Sequence, residues 1–166
     1  PFRWQQPDEA RARQTIDAVV EEAGRVPGIE VAAASNLLTA NLMRVTTPDR
    51  PFTPQVEGES ADVVCGTPGL FRALDLPIRS GRAFDERDSA GAGAVVLLNE
   101  AAAKKLFAAP SDALGREIQM RSYFSRSGAR GADDDVEALT VIGIVADSSL
   151  DRQGRPERTL YRPMAQ

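Results

Sequence analysis

Carboxylates are the plentiful acid–base groups of this chain. Its 166 residues include 24 Asp and Glu, 20 Lys and Arg, one Cys and no His. Asp85, Glu86 and Asp88 fall in one short stretch. Paired-carboxylate catalysis needs two such groups held on either side of one substrate. Neighbours in a turn more commonly act as solvated caps, which is the reading adopted for these three. Asp133, Asp134 and Asp135 offer hard oxygen ligands of the kind Ca²⁺ takes. Their unbroken run lacks the alternating spacing and closing Glu of a calcium loop, so they read as a solvated acidic segment.

The remaining candidate chemistries fall away on spacing. Without His there is no Ser-His-Asp or Cys-His pair and no imidazole metal ligand. A lone Cys65 forms neither an intrachain disulfide nor a cysteine-rich zinc site. Flanked by Val63 and Val64, it is expected to be a buried, inert thiol. Gly91 and Gly93 precede an apolar run, whereas dinucleotide glycines follow a strand and open a helix. Gly128, Arg130 and Gly131 lack the Lys and Ser/Thr of a phosphate loop. Lys104 and Lys105 sit in an Ala-rich helical stretch, where they read as a solvated face. The residues therefore assign no catalytic group, no cofactor-binding group and no metal ligand.

Composition narrows the partners. A net charge of −4 and 5% aromatic residues disfavour a nucleic-acid surface. Apolar runs are short, as at Ala94 to Leu98, far below the roughly 20 residues of a membrane span. No signal-peptide pattern opens the chain. Pro1 in place of an initiating Met is what an excised piece of a longer protein would show. Phe71, Phe84 and Phe107 suit core packing. Trp4 and Tyr161, near the two ends, suit either a membrane interface or ordinary packing.

These residues must be positioned by alternating helices and strands. Pro7, Asp8 and Glu9 open a helix whose apolar face is Ala12, Ile16, Val19, Val20 and Ala23. Gly24 and Pro27-Gly28 end it, and Ile29 to Ala34 reads as a short strand. Pro48, Pro51 and Pro54 make 36–60 a looped excursion with short edge strands, around the apolar Leu37, Leu38, Leu42 and Met43. Ala61 to Cys65 reads as a strand. Thr67-Pro68 then predicts a cap and first position of a helix running through Leu70, Phe71 and Leu74. Leu76-Pro77 ends it, and Ile78 to Phe84 carries a turn at Gly81.

Ala94 to Leu98 reads as a strand, with Asn99 capping the helix that follows and Pro110 closing it. In that helix Ala102–Leu106 and Ala103–Phe107 are i, i+4 pairs. Leu114-Gly115 turns into a strand over Arg116 to Met120. Ser122 to Glu137 reads as a loop. Leu139 to Ala146 is expected to be a central strand, and Thr159 to Tyr161, after a turn through Gly154, an edge strand. The interspersion predicts an α+β or mixed α/β domain.

The ordered motifs carry a resemblance. Thr67-Pro68-Gly69-Leu70-Phe71, then Leu74, Leu76-Pro77, Gly81-Arg82 and Phe84, resemble a signature of the MacB-like periplasmic core domain of ABC-transporter permeases, within the FtsX/MacB superfamily. The series continues with Val95 to Ala101, Leu106-Phe107, Leu114-Gly115, Thr140 to Asp147, and Leu160-Tyr161-Arg162-Pro163. It covers roughly 61–166, with the first helix and strand in the expected places. The loop Ser122 to Glu137 is long for the pattern.

The resemblance implies a compact α+β domain with a mixed sheet and about three helices. It places residues 1–166 as a single extracytoplasmic (periplasmic) core domain of a longer cell-membrane protein. It implies no catalytic residue and no cofactor, since ATP hydrolysis belongs to a separate nucleotide-binding domain. The implied partners are the remainder of the permease, its ATPase subunit, a periplasmic adaptor or cargo protein, and a second copy in the full transporter. The function expected is coupling of cytoplasmic ATP hydrolysis to export, efflux or extracytoplasmic partners. The alternatives are a ligand- or cell-wall-sensing binding module and an enzyme using Asp85, Glu86 or Asp88.

Overall fold

The computed structural model describes residues 9–36, 41–53, 55–122, 136–148 and 156–166. Among these residues, three α-helices lie at Glu9–Gly24 (α1), Leu70–Ala73 (α2) and Glu100–Leu106 (α3), with a short 3₁₀ turn at Pro110–Ala113. The described residues also form seven strands, at Asn41–Thr46 (β1), Glu59–Gly66 (β2), Ile78–Gly81 (β3), Val95–Asn99 (β4), Glu117–Ser122 (β5), Glu137–Val145 (β6) and Thr159–Pro163 (β7).

The strands run in the order β3-β6-β4-β7-β2-β1-β5, and β5 pairs back onto the first half of β6. Six strands thus close a ring, with β3 attached to the second half of β6. The β2–β7 and β4–β6 pairs are parallel and the others antiparallel. Closure removes most of the unpaired backbone that an open sheet would leave at its edges.

Successive side chains of a strand face opposite sides. Val63, Val96 and Leu160 enter one apolar cluster with Ile118, Leu139 and Val141. Their neighbours Val64, Leu97 and Tyr161 enter a second cluster with Leu70, Phe71 and Phe84. Every residue of β4 is buried for this reason. The 3₁₀ turn and α3 add Ala113, Ala102 and Ala103 to the first cluster. Phe71 packs against Phe84 at 5.1 Å and edge-on to Tyr161 at 5.3 Å between ring centroids.

Asn99 locks the end of β4 to its neighbours. It is 0% exposed, and its amide donates to Asp147 Oδ1 at 2.7 Å and to the Glu157 carbonyl at 2.6 Å. Its Oδ1 accepts from the backbone N–H of Ala102 and of Thr159. The helix cap expected at Asn99 is present and also ties β4 to β7 and to the end of β6.

Several expectations are corrected. Ile29 to Ala34 is not a strand; Ala34 is bound by Thr67, and the next residues reach β2 through an isolated bridge of Ser35 to Gly66 and hydrogen bonds between Asn36 and Cys65. β1, inside the supposed looped excursion, lies between β2 and β5. Ile78 to Gly81 forms β3 as well as the turn. β7 is not an edge strand: it lies between β4 and β2, because both faces of Leu160-Tyr161 find apolar partners. α2 begins only at Leu70, with Gly69 as its cap at φ 95°, since the Thr67 hydroxyl is engaged by Ala34. α3 ends at Leu106, and Pro110 instead opens the 3₁₀ turn. Tyr161 is a core residue, 2% exposed, and not an interfacial one. Pro7, Asp8, Trp4, Leu37, Leu38, Pro54, the segment with Gly128, Arg130 and Gly131, Asp133–Asp135 and Gly154 lie outside the described residues.

Candidate interaction surface

The three grouped carboxylates do not converge on a reaction centre. Asp88 is buried and takes a two-pronged contact from the Arg82 guanidinium, at 2.6 and 2.8 Å. It also accepts from the Asp85 backbone N–H at 2.9 Å. Asp85 is held by Arg87 at 2.7 and 3.0 Å. Hydrogen bonds from Arg87 bring the Asp85 carboxyl down to about 2, and Arg82 lowers that of Asp88. A general acid needs the opposite shift, toward a proton held near neutrality. The turn caps itself, and Glu86 is left exposed.

Cys65 is half-buried on β2 beside the Arg162–Glu137 ion pair at 2.6 Å. Burial pushes its thiol up, with Arg162 opposing, so the reactive thiolate is disfavoured. Lys104 and Lys105 are exposed on α3, as expected, with Lys105 3.4 Å from Glu59. Among the described residues no three His, Cys, Asp or Glu side chains could together hold a metal ion.

What the fold does assemble is a groove of about 530 Å³ between α1 and one end of the sheet. Its floor is the chain that leaves β2 at Gly66-Thr67-Pro68 and the strap that leaves β7 at Pro163-Met164-Ala165. The two are stitched by Met164 N–H to the Gly66 carbonyl at 2.8 Å. Arg13 on α1 donates to the Ala165 carbonyl at 2.7 Å, fixing the helix over that strap. Asp17 and Glu21 line it from α1, and Asp85 and Glu86 from the turn after β3. The apolar stripe of α1 is only half covered: Ile16, Val20 and Ala23 are half-buried, while Val19 is 62% exposed. Sequence reasoning found the stripe and the acidic turn but did not bring them together. The joining contacts run from residue 13 to residue 165, and no local pattern marks them.

A ring of strands with α3 packed on one apolar cluster and α2 on the other has relatives. The sequence profile of the MacB-like periplasmic core domain matches residues 2–166. The chain belongs to that family. In fold the MacB-like domain is similar to the periplasmic region of MacB from Actinobacillus actinomycetemcomitans, with TM-score 0.56 and 20% identity over 99% of this chain. It is also similar to the extracellular domain of the noncanonic ABC-type transporter YknZ from Gram-positive bacteria, with TM-score 0.55 and 15% identity over 98% of this chain. At such identities the likeness is one of fold. The chain spans 63% of the MacB region and 71% of the YknZ domain. No curated protein matches the sequence. The chain is thus a MacB-like periplasmic core domain, and no helix among its described residues is long and apolar enough to cross a membrane.

Proposed function

We propose that this domain is a non-catalytic coupling element, residues 1–166 forming one extracytoplasmic unit that links ATP hydrolysis in a separate subunit to export or to extracytoplasmic partners. The observation that carries the reading is the family match over residues 2–166. Two features of the molecule support it. The paired carboxylates are held ionised by arginines, which suits support of a turn rather than proton transfer. The closed ring of strands gives a body able to move as one piece. Its partners are the rest of the permease, the ATPase subunit, a second copy and an adaptor or cargo protein.

Placement is tested in the parent permease with a Ser111→Cys label site on a Cys65→Ala background, Ser111 being exposed and outside the groove. A membrane-impermeant maleimide is expected to react from the outside of intact cells. Reaction only after permeabilisation contradicts the reading. The groove beside α1 favours a second reading, a ligand- or cell-wall-sensing module, which requires a saturable rise in melting temperature with its ligand.

A further inference from the structure

The groove between α1 and the 163–165 strap has a chemistry that selects its occupant. Its floor and helical wall offer Pro68, Met164 and half-buried Val20 as apolar contacts. Its rims carry five carboxylates against the single guanidinium of Arg13, which is committed to the Ala165 carbonyl. Arg82, Arg87 and Arg25 answer Asp88, Asp85 and Glu21. Asp17 on α1 and Glu86 on the turn after β3 line the groove and have no ion-pair partner among the described residues. An apolar trough with an unanswered carboxylate from each of two elements matches an extended segment that alternates apolar and cationic side chains. The fit is electrostatic as well as steric, since complementary charge orients and selects a partner even where it adds modest affinity. A second copy fits less well, because it would set the same carboxylates against one another.

We infer that this groove docks a partner protein through a segment of Arg or Lys interleaved with Leu-like residues, Asp17 and Glu86 receiving the cations and Val20 and Met164 the apolar side chains. The inference rests on the coupling role proposed above and names the surface through which the partner engages. Docking there would also load α1, which the Arg13–Ala165 contact ties to the strap beyond β7. Partner engagement thereby acts on the helix and the sheet together.

The test is an amide-shift titration of the 166-residue chain with acetyl-Leu-Arg-Leu-Arg-Leu-amide, and with the same peptide carrying Glu for Arg. The cationic peptide is expected to give saturable shifts at Val20, Glu21, Thr67, Glu86 and Met164, weakened at roughly 0.5 M salt. Asp17→Asn with Glu86→Gln, both at exposed positions, is expected to weaken it about tenfold, the loss of two surface ion pairs. Four results overturn the docking site: no saturable shift, shifts centred elsewhere, equal binding of the acidic peptide, or unchanged affinity in the double variant. Self-association through α1 that the peptide displaces also overturns it, in favour of a second copy. All of these leave the outside labelling at Ser111 unaffected, so failure of the groove is separable from failure of the coupling role.

Discussion

Asn99 concentrates more of the fold in one side chain than its short length suggests. Its amide closes four hydrogen bonds at a site 0% exposed, so Asn99→Ala leaves backbone groups of Ala102, Glu157 and Thr159 unpaired away from water. A buried unsatisfied group costs about 1–3 kcal/mol, and the variant is expected to lose about 2–4 kcal/mol in urea unfolding. A loss below about 1 kcal/mol contradicts that account. Charge acts at the same scale. Asp85 and Asp88 have folded values below their ordinary 3.8, so their stabilisation is full above about pH 4 and is lost as pH falls through the folded values. Asp88→Asn is expected to flatten the acid limb of stability against pH, read by thermal melts from about pH 2 to 5. Asp62 has the opposite sign. Burial and then Glu157 raise its carboxyl, so it favours folding when protonated and costs stability as pH rises through its folded value. Asp62→Asn is expected to melt higher than the parent chain at neutral pH; a lower melting temperature contradicts this.

At the scale of elements, β3 reaches the ring through a contact that only glycine permits. Gly81 has φ 75°, and a Cβ there would lie 2.3 Å from the Ile142 carbonyl oxygen and 2.8 Å from Gly143 Cα. Gly81→Ala is expected to cost about 2–3 kcal/mol and to loosen β3 first, seen as faster amide exchange at residues 78–81. Uniform exchange across the sheet contradicts this. The apolar run of β4, buried on both faces, and the apolar β6, buried on both faces over its second half, were legible because they carry no competing signal. β1 was not, although Met43 and Val45 face the first cluster with Leu42 turned outward: the prolines that follow drew the reading toward loop. β7 showed its strand character in Leu160-Tyr161, but neighbour order in a sheet is set by long-range pairing that a local window does not contain. The groove was hidden for the same reason. Its acidic turn and its helix were each readable, but the Arg13–Ala165 contact that brings α1 over the strap is not.

Across the whole molecule, six strands close on themselves and two apolar clusters share the β2, β4, β6 and β7 backbones between them. The strands β2, β4, β6 and β7 place side chains in both clusters, so the ring packs as one body. Such packing suits a body that follows the motion of a permease, a proposed role that asks for no reactive side chain. The central claim is coupling, and it is read most directly as ATP-dependent movement. In proteoliposomes holding the parent permease and its ATPase subunit, a fluorophore at Ser111→Cys on the Cys65→Ala background donates energy to acceptor-labelled lipid headgroups. The account predicts a change in transfer efficiency when ATP reaches the ATPase and its reversal once ATP is spent; an unchanged efficiency while ATP is being hydrolysed contradicts it.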